Sequence, residues 1–385
     1  MRQSILKRYA ISFALIFGLI IFGFSILAEA KKSASLPKTM IWTCYDVGSS
    51  GYVQASAIAD AFLKNFGTKV RLLPSGTGIG RLLPLATKRV QCGYLANEVY
   101  FATEGLFDFS AREWGPQDLR VILAHPSSTS MLTTKVSGIK TPKDMKGKRV
   151  SWIVGNPSMY VKAEAQLAFA GLTWDDVVKV EFPSYAANLR ALIEGKTDIA
   201  TGTLTAPIIY ELASTPKGFQ VIEFPPDDKE GWKRAQKIAP FMFPSQETRG
   251  PGVSKENPVW IAHVRYPMIT VYADADPDWV YNYIKAIDET FSIYKDSFPV
   301  MPDWRIEMAG VPPADAPFHE GAIRYLKEKG VWKAKYDTWN NARLRHMKKV
   351  RKAWEKAVSE AEAKKMKSKH FPKFWLEQRA RALAD

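Results

Sequence analysis

The sequence predicts a two-lobed α/β protein, each lobe a parallel-rich sheet flanked by helices. Three observations predict it. At 385 residues the chain is longer than one ordinary core needs. A strand, a polar glycine-containing loop and a helix alternate from residue 40, and the alternation begins again after residue 118; this order marks parallel strands joined by crossover helices. A β-prone stretch at 260–273 then leads back toward the first lobe. Hydrophobic residues at 46% and charged residues at 24% fit a folded chain with a water-facing surface.

The N-terminus reads as a signal peptide over residues 1–30. Arg2, Lys7 and Arg8 form a basic start, residues 11–27 are almost wholly apolar, and Ala28-Glu29-Ala30 offers small residues for cleavage after Ala30. An uncleaved membrane anchor is the alternative, because the apolar run is long for a signal. Either way the rest of the chain is expected outside the cytoplasm, in the periplasm.

Lobe 1 spans 39–127. A strand at 40–47 ends in Gly48-Ser49-Ser50-Gly51 and is followed by a helix at 52–65, with Val53, Ala57, Ala61 and Phe62 on one face. A strand at 69–73 runs into Pro74-Ser75-Gly76-Thr77-Gly78-Ile79-Gly80 and a helix at 81–87; a third strand at 90–95 ends at Ala96-Asn97. Residues 119–124 and 130–134 read as two further strands. Lobe 2 spans 128–260. Thr141-Pro142 opens a short helix with a capping hydroxyl and a proline in the first turn. A strand at 148–154 leads through Gly155-Asn156-Pro157-Ser158 into a helix at 159–170, followed by a strand at 178–182 and a helix at 185–193. The last strand, 197–200, enters Thr201-Gly202-Thr203-Leu204-Thr205. Residues 225–258, rich in Pro, Gly and charge, read as an irregular insertion. Residues 261–332 return to lobe 1 and add helices at 277–294 and 321–329. Residues 333–385 form a basic helical C-terminal extension.

The formal charge of +15 is unevenly placed. Residues 331–385 hold 16 Lys and Arg against 6 Asp and Glu, so +10 of the excess lies in that extension. The body is near neutral, and the charge gives no ground for nucleic-acid binding. The extension reads either as a helix packed back on lobe 1 or as a basic arm meeting anionic lipid or an acidic permease surface.

Small ligands bind at the carboxyl ends of parallel strands, and there the candidate ligand-binding residues gather: Ser49, Ser50 and Tyr52; Ser75, Thr77 and Arg81; Asn97; Ser158 and Tyr160; Thr203 and Thr205. Hydroxyls and free amides at helix starts favour anions, although Ser and Thr there also serve simply as N-caps. Arg81 has the bidentate geometry for a carboxylate. Catalysis has no support: the five histidines, His125, His263, His319, His346 and His370, lack metal spacing, no Gly-x-Ser-x-Gly turn is present, and Gly76-Thr-Gly-Ile-Gly80 is not followed by the Lys-Ser/Thr of a phosphate loop. No cofactor and no metal are expected. Cys44 and Cys92 both fall in strand-like runs, as buried free thiols or as one bridge.

The order of several motifs resembles the TAXI family of solute receptors of TRAP (tripartite ATP-independent periplasmic) transporters. The motifs are Gly48-Ser-Ser-Gly-Tyr52, Leu73-Pro-Ser-Gly-Thr-Gly78, Gly93-Tyr-Leu-Ala-Asn97, Gly138-Ile-Lys-Thr-Pro-Lys-Asp-Met-Lys-Gly-Lys-Arg-Val150, Gly171-Leu-Thr-Trp-Asp-Asp-Val177, Leu192-Ile-Glu-Gly-Lys-Thr-Asp-Ile-Ala200 and Pro317-Phe-His-Glu-Gly-Ala-Ile-Arg-Tyr325. The resemblance covers residues 40–332. It implies a Venus-flytrap periplasmic-binding-protein fold that captures a small organic anion, a carboxylate such as glutamate or a dicarboxylate, for the membrane subunits of an ion-driven permease. Two departures, Ser49-Ser50-Gly51 and the bulky Met159-Tyr160, fall at the expected pocket and point to a larger or more aromatic solute. The alternatives are an ABC-type receptor of the nitrate, sulfonate or thiamine-precursor kind, and a membrane-anchored sensor or scaffold on the same fold.

Overall fold

Met40, Trp42, Thr43, Cys44 and Tyr45 of strand β1 (Thr39–Tyr45) are all buried, as befits a strand covered on both faces. The computed structural model describes residues 33–384, so the expected signal peptide at 1–30 lies outside the described residues. Helix α1 (Ser50–Phe66) follows β1. Then come β2 (Lys69–Ser75), α2 (Gly78–Ala86), β3 (Cys92–Leu95) and α3 (Glu98–Glu104). Strand β1 pairs in parallel with both β2 and β3. Trp42 stacks on Tyr94 of β3 at 5.2 Å and meets Phe62 of α1 edge-on at 5.5 Å, which locks helix to sheet. Cys44 and Cys92 are buried free thiols, so of the two readings the bridge is excluded.

β4 (Leu119–Thr133) is one continuous strand where the sequence suggested two. The polar run His125-Pro126-Ser127-Ser128 looks like a turn, yet its polar groups find partners across the strand. His125 sits 3.1 Å from the Tyr266 carbonyl and 2.9 Å from that of Val300, and Ser128 donates to Glu247 at 2.5 Å. Burying such groups is tolerable only when they are bonded. The second lobe holds β5 (Arg149–Ile153), α4 (Pro157–Phe169), β6 (Val178–Phe182), α5 (Tyr185–Glu194), β7 (Ala200–Gly202), α6 (Pro207–Ser214) and β8 (Gln220–Val221). β7 begins three residues later than the sequence suggested. Residues 225–258 are more regular than expected: they contain α7 (Lys229–Ile238) and β9 (Phe243–Glu247). Trp232 of α7 packs edge-on against Phe169 of α4, an apolar anchor hidden in a charged stretch.

β10 (Val259–Tyr272) runs antiparallel to β4 along most of its length. One end of this pair, near Leu119 and Tyr272, lies with β3 in lobe 1; the other, near Thr133 and Val259, pairs with β7, β8 and β9 in lobe 2. The sheet order is β2-β1-β3-β10-β4-β7, with β5 and β6 as a separate parallel pair. Two strands thus cross between lobes, and their ladder is irregular between Arg265 and Met268, where Pro126 and Pro267 have no N–H to give. The expected boundary at 127/128 falls inside β4.

Helices α8 (Pro277–Glu289) and α9 (Glu320–Glu328) close lobe 1. The extension folds as a hairpin of α10 (Ala334–Ala363) and α11 (Phe371–Ala384), with its own small core of Val350, Ala357, Ala361, Phe371 and Trp375. It packs back on lobe 1, as the first of its two readings had it. Trp375 donates to the Gly105 carbonyl at 2.6 Å. The buried Glu104 carboxylate accepts from Arg343 (3.0 Å), His346 (2.8 Å) and Arg379. Burial alone would raise the Glu104 carboxyl, but the His346 hydrogen bond and the two arginines outweigh it and hold the pKa down at about 2. Among the described residues, no helix is long and apolar enough to cross a membrane.

Candidate functional site

The loops after β1, β2 and β3 face the loops before α4, α5 and α6, and the two sets touch. Ser50 Oγ lies 3.3 Å from Thr205 Oγ1, and the Gly51 amide donates to Tyr266 Oη at 3.0 Å. Asn156 Nδ2 and the Tyr185 amide both donate to the Gly76 carbonyl, at 3.2 and 3.1 Å. The Ala186 amide donates to Asp46 at 3.1 Å. Glycine is required here for close approach: a Cβ on Gly76 would stand 2.3 Å from Ser184 Cβ, and one on Gly51 would stand 2.3 Å from Tyr266 Oη. The lobes are closed on each other in this structure.

Arg81 lies at the centre and is fully buried. Its Nε and Nη2 donate to Glu98 Oε1 at 2.9 and 2.7 Å, and its guanidinium covers the Tyr45 ring at 3.2 Å. The carboxylate expected from a ligand is therefore supplied by the chain itself, because Glu98 opens α3 one residue beyond Asn97 and is buried beside the cation. Asn97 donates to Asp315 Oδ2 at 2.8 Å and accepts from Lys162 at 3.2 Å. Burial pushes Lys162 down to about 8 and Asp315 up to about 7. Arg81 and Lys162 thus share one buried cluster with the carboxyls of Glu98 and Asp315, and Asp46 lies within reach of the Arg81 charge.

The other candidates fall into two groups. Ser49 and Thr77 act as N-caps, accepting from the Tyr52 and Gly80 amides at 3.1 and 3.0 Å; Ser75 takes the Thr77 amide at 3.5 Å. Thr203 gives its amide to Tyr185 Oη at 3.2 Å, and Thr205 meets Ser50. Tyr52 is half-buried beside the Ser49 cap. Tyr160 turns away from the cluster: it stacks on Trp152 at 4.2 Å and donates to Asp108 of lobe 1 at 3.0 Å. Ser158 Oγ is buried with no hydrogen-bond partner among the described residues, as are Glu98 Oε2, Asp46 Oδ1 and Thr201 Oγ1.

Sequence reasoning missed Tyr45, Glu98, Asn156, Lys162, Tyr266 and Asp315. Lys162 had a signal, since it lies in a helix buried on nearly every face, and a lysine there requires partners. Asp315 and Tyr266 had none, being brought to the cluster from residues far along the chain. Among the described residues no group of three or more His, Cys, Asp and Glu is placed to hold a metal.

The model of the NMT1-like family matches residues 50–330. Solved structures similar to the chain include the alkanesulfonate-binding protein SsuA from Xanthomonas axonopodis pv. citri bound to MOPS, at 16% identity over 77% of this chain and 92% of that one, with a TM-score of 0.42. The periplasmic aliphatic sulphonate binding protein SsuA from Escherichia coli is 15% identical over 80% and 89%, with a TM-score of 0.39. An ABC transporter periplasmic binding protein from Brucella ovis with glutathione bound is 11% identical over 64% and 65%, with a TM-score of 0.42.

Proposed function

The chain belongs to the NMT1-like family, and from that premise we propose that it is a non-catalytic, extracytoplasmic solute-binding receptor that closes its two lobes on a small organic anion and delivers it to a membrane permease. The family match favours an ABC-type import system over the TRAP type that the motif order resembles. A gene neighbourhood encoding an ATPase supports the first, and one encoding a multi-span permease alone supports the second.

The observation that carries the reading is the set of unpartnered polar atoms at the junction of the lobes. Among the described residues, Ser158 Oγ from lobe 2 and Glu98 Oε2 and Asp46 Oδ1 from lobe 1 are buried without hydrogen-bond partners. Each such atom costs about 1–3 kcal/mol when left unpaired, and a closed receptor offsets that cost by bonding a guest from both sides at once. The cations Arg81 and Lys162 suit an acid group. The two free carboxylate oxygens suit a solute that also donates hydrogen bonds, and an amino acid such as glutamate combines both features.

A thermal-shift screen of the full chain tests this, because a ligand that binds only the folded state raises Tm. The panel holds amino acids, dicarboxylates, keto acids, aromatic acids and sulfonates. One class is expected to raise Tm saturably, and Ser158→Ala is expected to weaken that response. A flat response across all five classes overturns the reading.

A further inference from the structure

Arg249 follows β9 in lobe 2 and forms an ion pair with Asp303, Nη1 to Oδ2 at 2.6 Å. Each partner is fixed in its own lobe. β9 is paired to the lobe 2 end of β10. Gly250, at a φ of 147°, lies against the cleft loop 203–205, where a Cβ would stand 3.0 Å from Leu204 Cβ. Asp303 sits in the single turn Met301–Trp304. The next residue, Trp304, is fully buried in lobe 1; it packs on Tyr94 of β3 at 6.0 Å and donates to Gln54 of α1 at 2.8 Å. The pair therefore ties one lobe to the other.

The guanidinium end is held in place before it meets Asp303. Glu247 is buried, and its Oε1 accepts from the Thr248 and Arg249 amides at 2.9 and 3.0 Å and from Arg249 Nε at 3.2 Å. Its Oε2 accepts from Ser128 of β4 at 2.5 Å. An ion pair between two free side chains gains little, because both must be ordered to form it; here one of the two is already ordered. Loss of Asp303 would leave Arg249 paired with Glu247, so the contact between lobes can be broken without stranding a cation. The Arg249 and Asp303 side chains are 29% and 18% exposed, so dissolved salt reaches the pair. His125 of β4 feels both charges; burial pushes it down to about 4, so it adds no third charge at neutral pH.

We propose that Arg249 and Asp303 form a latch that holds the two lobes closed without a solute. The contact is the chain's own on both sides, as is the second tie between the lobes, from Tyr160 to Asp108. That second tie remains when the latch is broken, so breaking it shifts the balance of open and closed forms and does not abolish closure. On the receptor reading, a self-closed chain must open before a solute enters, so the latch lowers the competent fraction and with it the apparent affinity. The latch itself needs only the two lobes and does not rest on that reading.

The test is single-molecule energy transfer between dyes on Leu63→Cys in lobe 1 and Val136→Cys in lobe 2, both exposed positions, with no solute added. Cys44 and Cys92 are buried and stay unlabelled. The otherwise unchanged chain is expected to be mainly closed, with a minor open form. Asp303→Asn and Arg249→Gln are each expected to raise the open-to-closed ratio roughly fivefold, the upper end for an ion pair that touches solvent. Raising salt from about 0.05 to about 0.5 M is expected to move the unchanged chain the same way and to leave Asp303→Asn nearly unmoved. The proposal is overturned if the unchanged chain is mainly open, if both variants keep its ratio, or if salt moves Asp303→Asn as far as it moves the unchanged chain. Because no solute is present, such a failure leaves the receptor reading standing, and a flat solute screen leaves the latch standing.

Discussion

Glu98 Oε1 receives two hydrogen bonds from Arg81, at 2.9 and 2.7 Å, and neither side chain has any contact with solvent. Removing one partner of such a pair strands a charge. Glu98→Leu or Arg81→Met alone is expected to cost about 3–5 kcal/mol, and the double variant much less, because a buried pair replaced by apolar groups is often neutral. Urea denaturation of the three variants checks this. Equal losses in single and double variants would refute the account of a mutually dependent pair.

Gly76→Ala places a methyl group 2.3 Å from Ser184 Cβ across the lobe junction. Both atoms belong to short loops held by hydrogen bonds, so the expected outcome is a wedge that opens the lobes. A larger radius of gyration in solution scattering and a solute affinity lowered by about 1–3 kcal/mol are expected. A variant as compact as the wild type would show that the loops yield instead.

Asp315 and Glu104 give opposite pH dependences. The folded pKa of Asp315 is raised from 3.8 to about 7, so its contribution is full below pH 4 and is lost as pH rises to 7. Asp315→Asn cannot ionise; relative to the wild type it is expected to be more stable at pH 8 than at pH 4. The folded pKa of Glu104 is lowered from 4.5 to about 2, so its contribution is present above pH 4.5 and is lost as pH falls toward 2. Glu104→Gln is expected to flatten the acid limb of a Tm-against-pH curve.

Trp375 joins the core of the extension to lobe 1: it is fully buried and donates to the Gly105 carbonyl. Trp375→Ala is expected to cost about 3–5 kcal/mol and to free the hairpin. Limited proteolysis is then expected to cut in the 333–385 segment, while residues 36–332 stay resistant. Simultaneous digestion of both parts would show that the hairpin is integral to the lobe.

The basic face of the hairpin, with Lys349, Lys352, Lys356 and Arg381 around one groove, is the surface that the arm reading needs. If it meets anionic lipid, reversing the three lysines to glutamate lowers binding to phosphatidylserine vesicles at low salt, by about 1 kcal/mol for each charge removed. Unchanged vesicle binding would leave packing as the extension's only role.

The sequence by itself determined the local elements. Strand β6 at Val178–Phe182, the caps at Ser49 and Thr77, and the long extension helix follow from hydrophobic periodicity and capping chemistry, which act within a few residues. It also brought forward the loops after β1, β2 and β3, because the carboxyl ends of parallel strands lie on one side of a sheet. Tertiary structure decided everything that depends on partners distant in the chain. The polar run at 125–128 continues as strand only because β10 and Glu247 satisfy it. Residues 225–258 are held by partners distant in the chain, Trp232 by Phe169 and β9 by β10. Arg81 was visible as a cation at a helix start; that Glu98 already holds it was not, since a pairing 17 residues apart is set by how α2 and α3 pack. Burial has no local signature, and it is burial that turns these charges from surface groups into a closed, paired cluster.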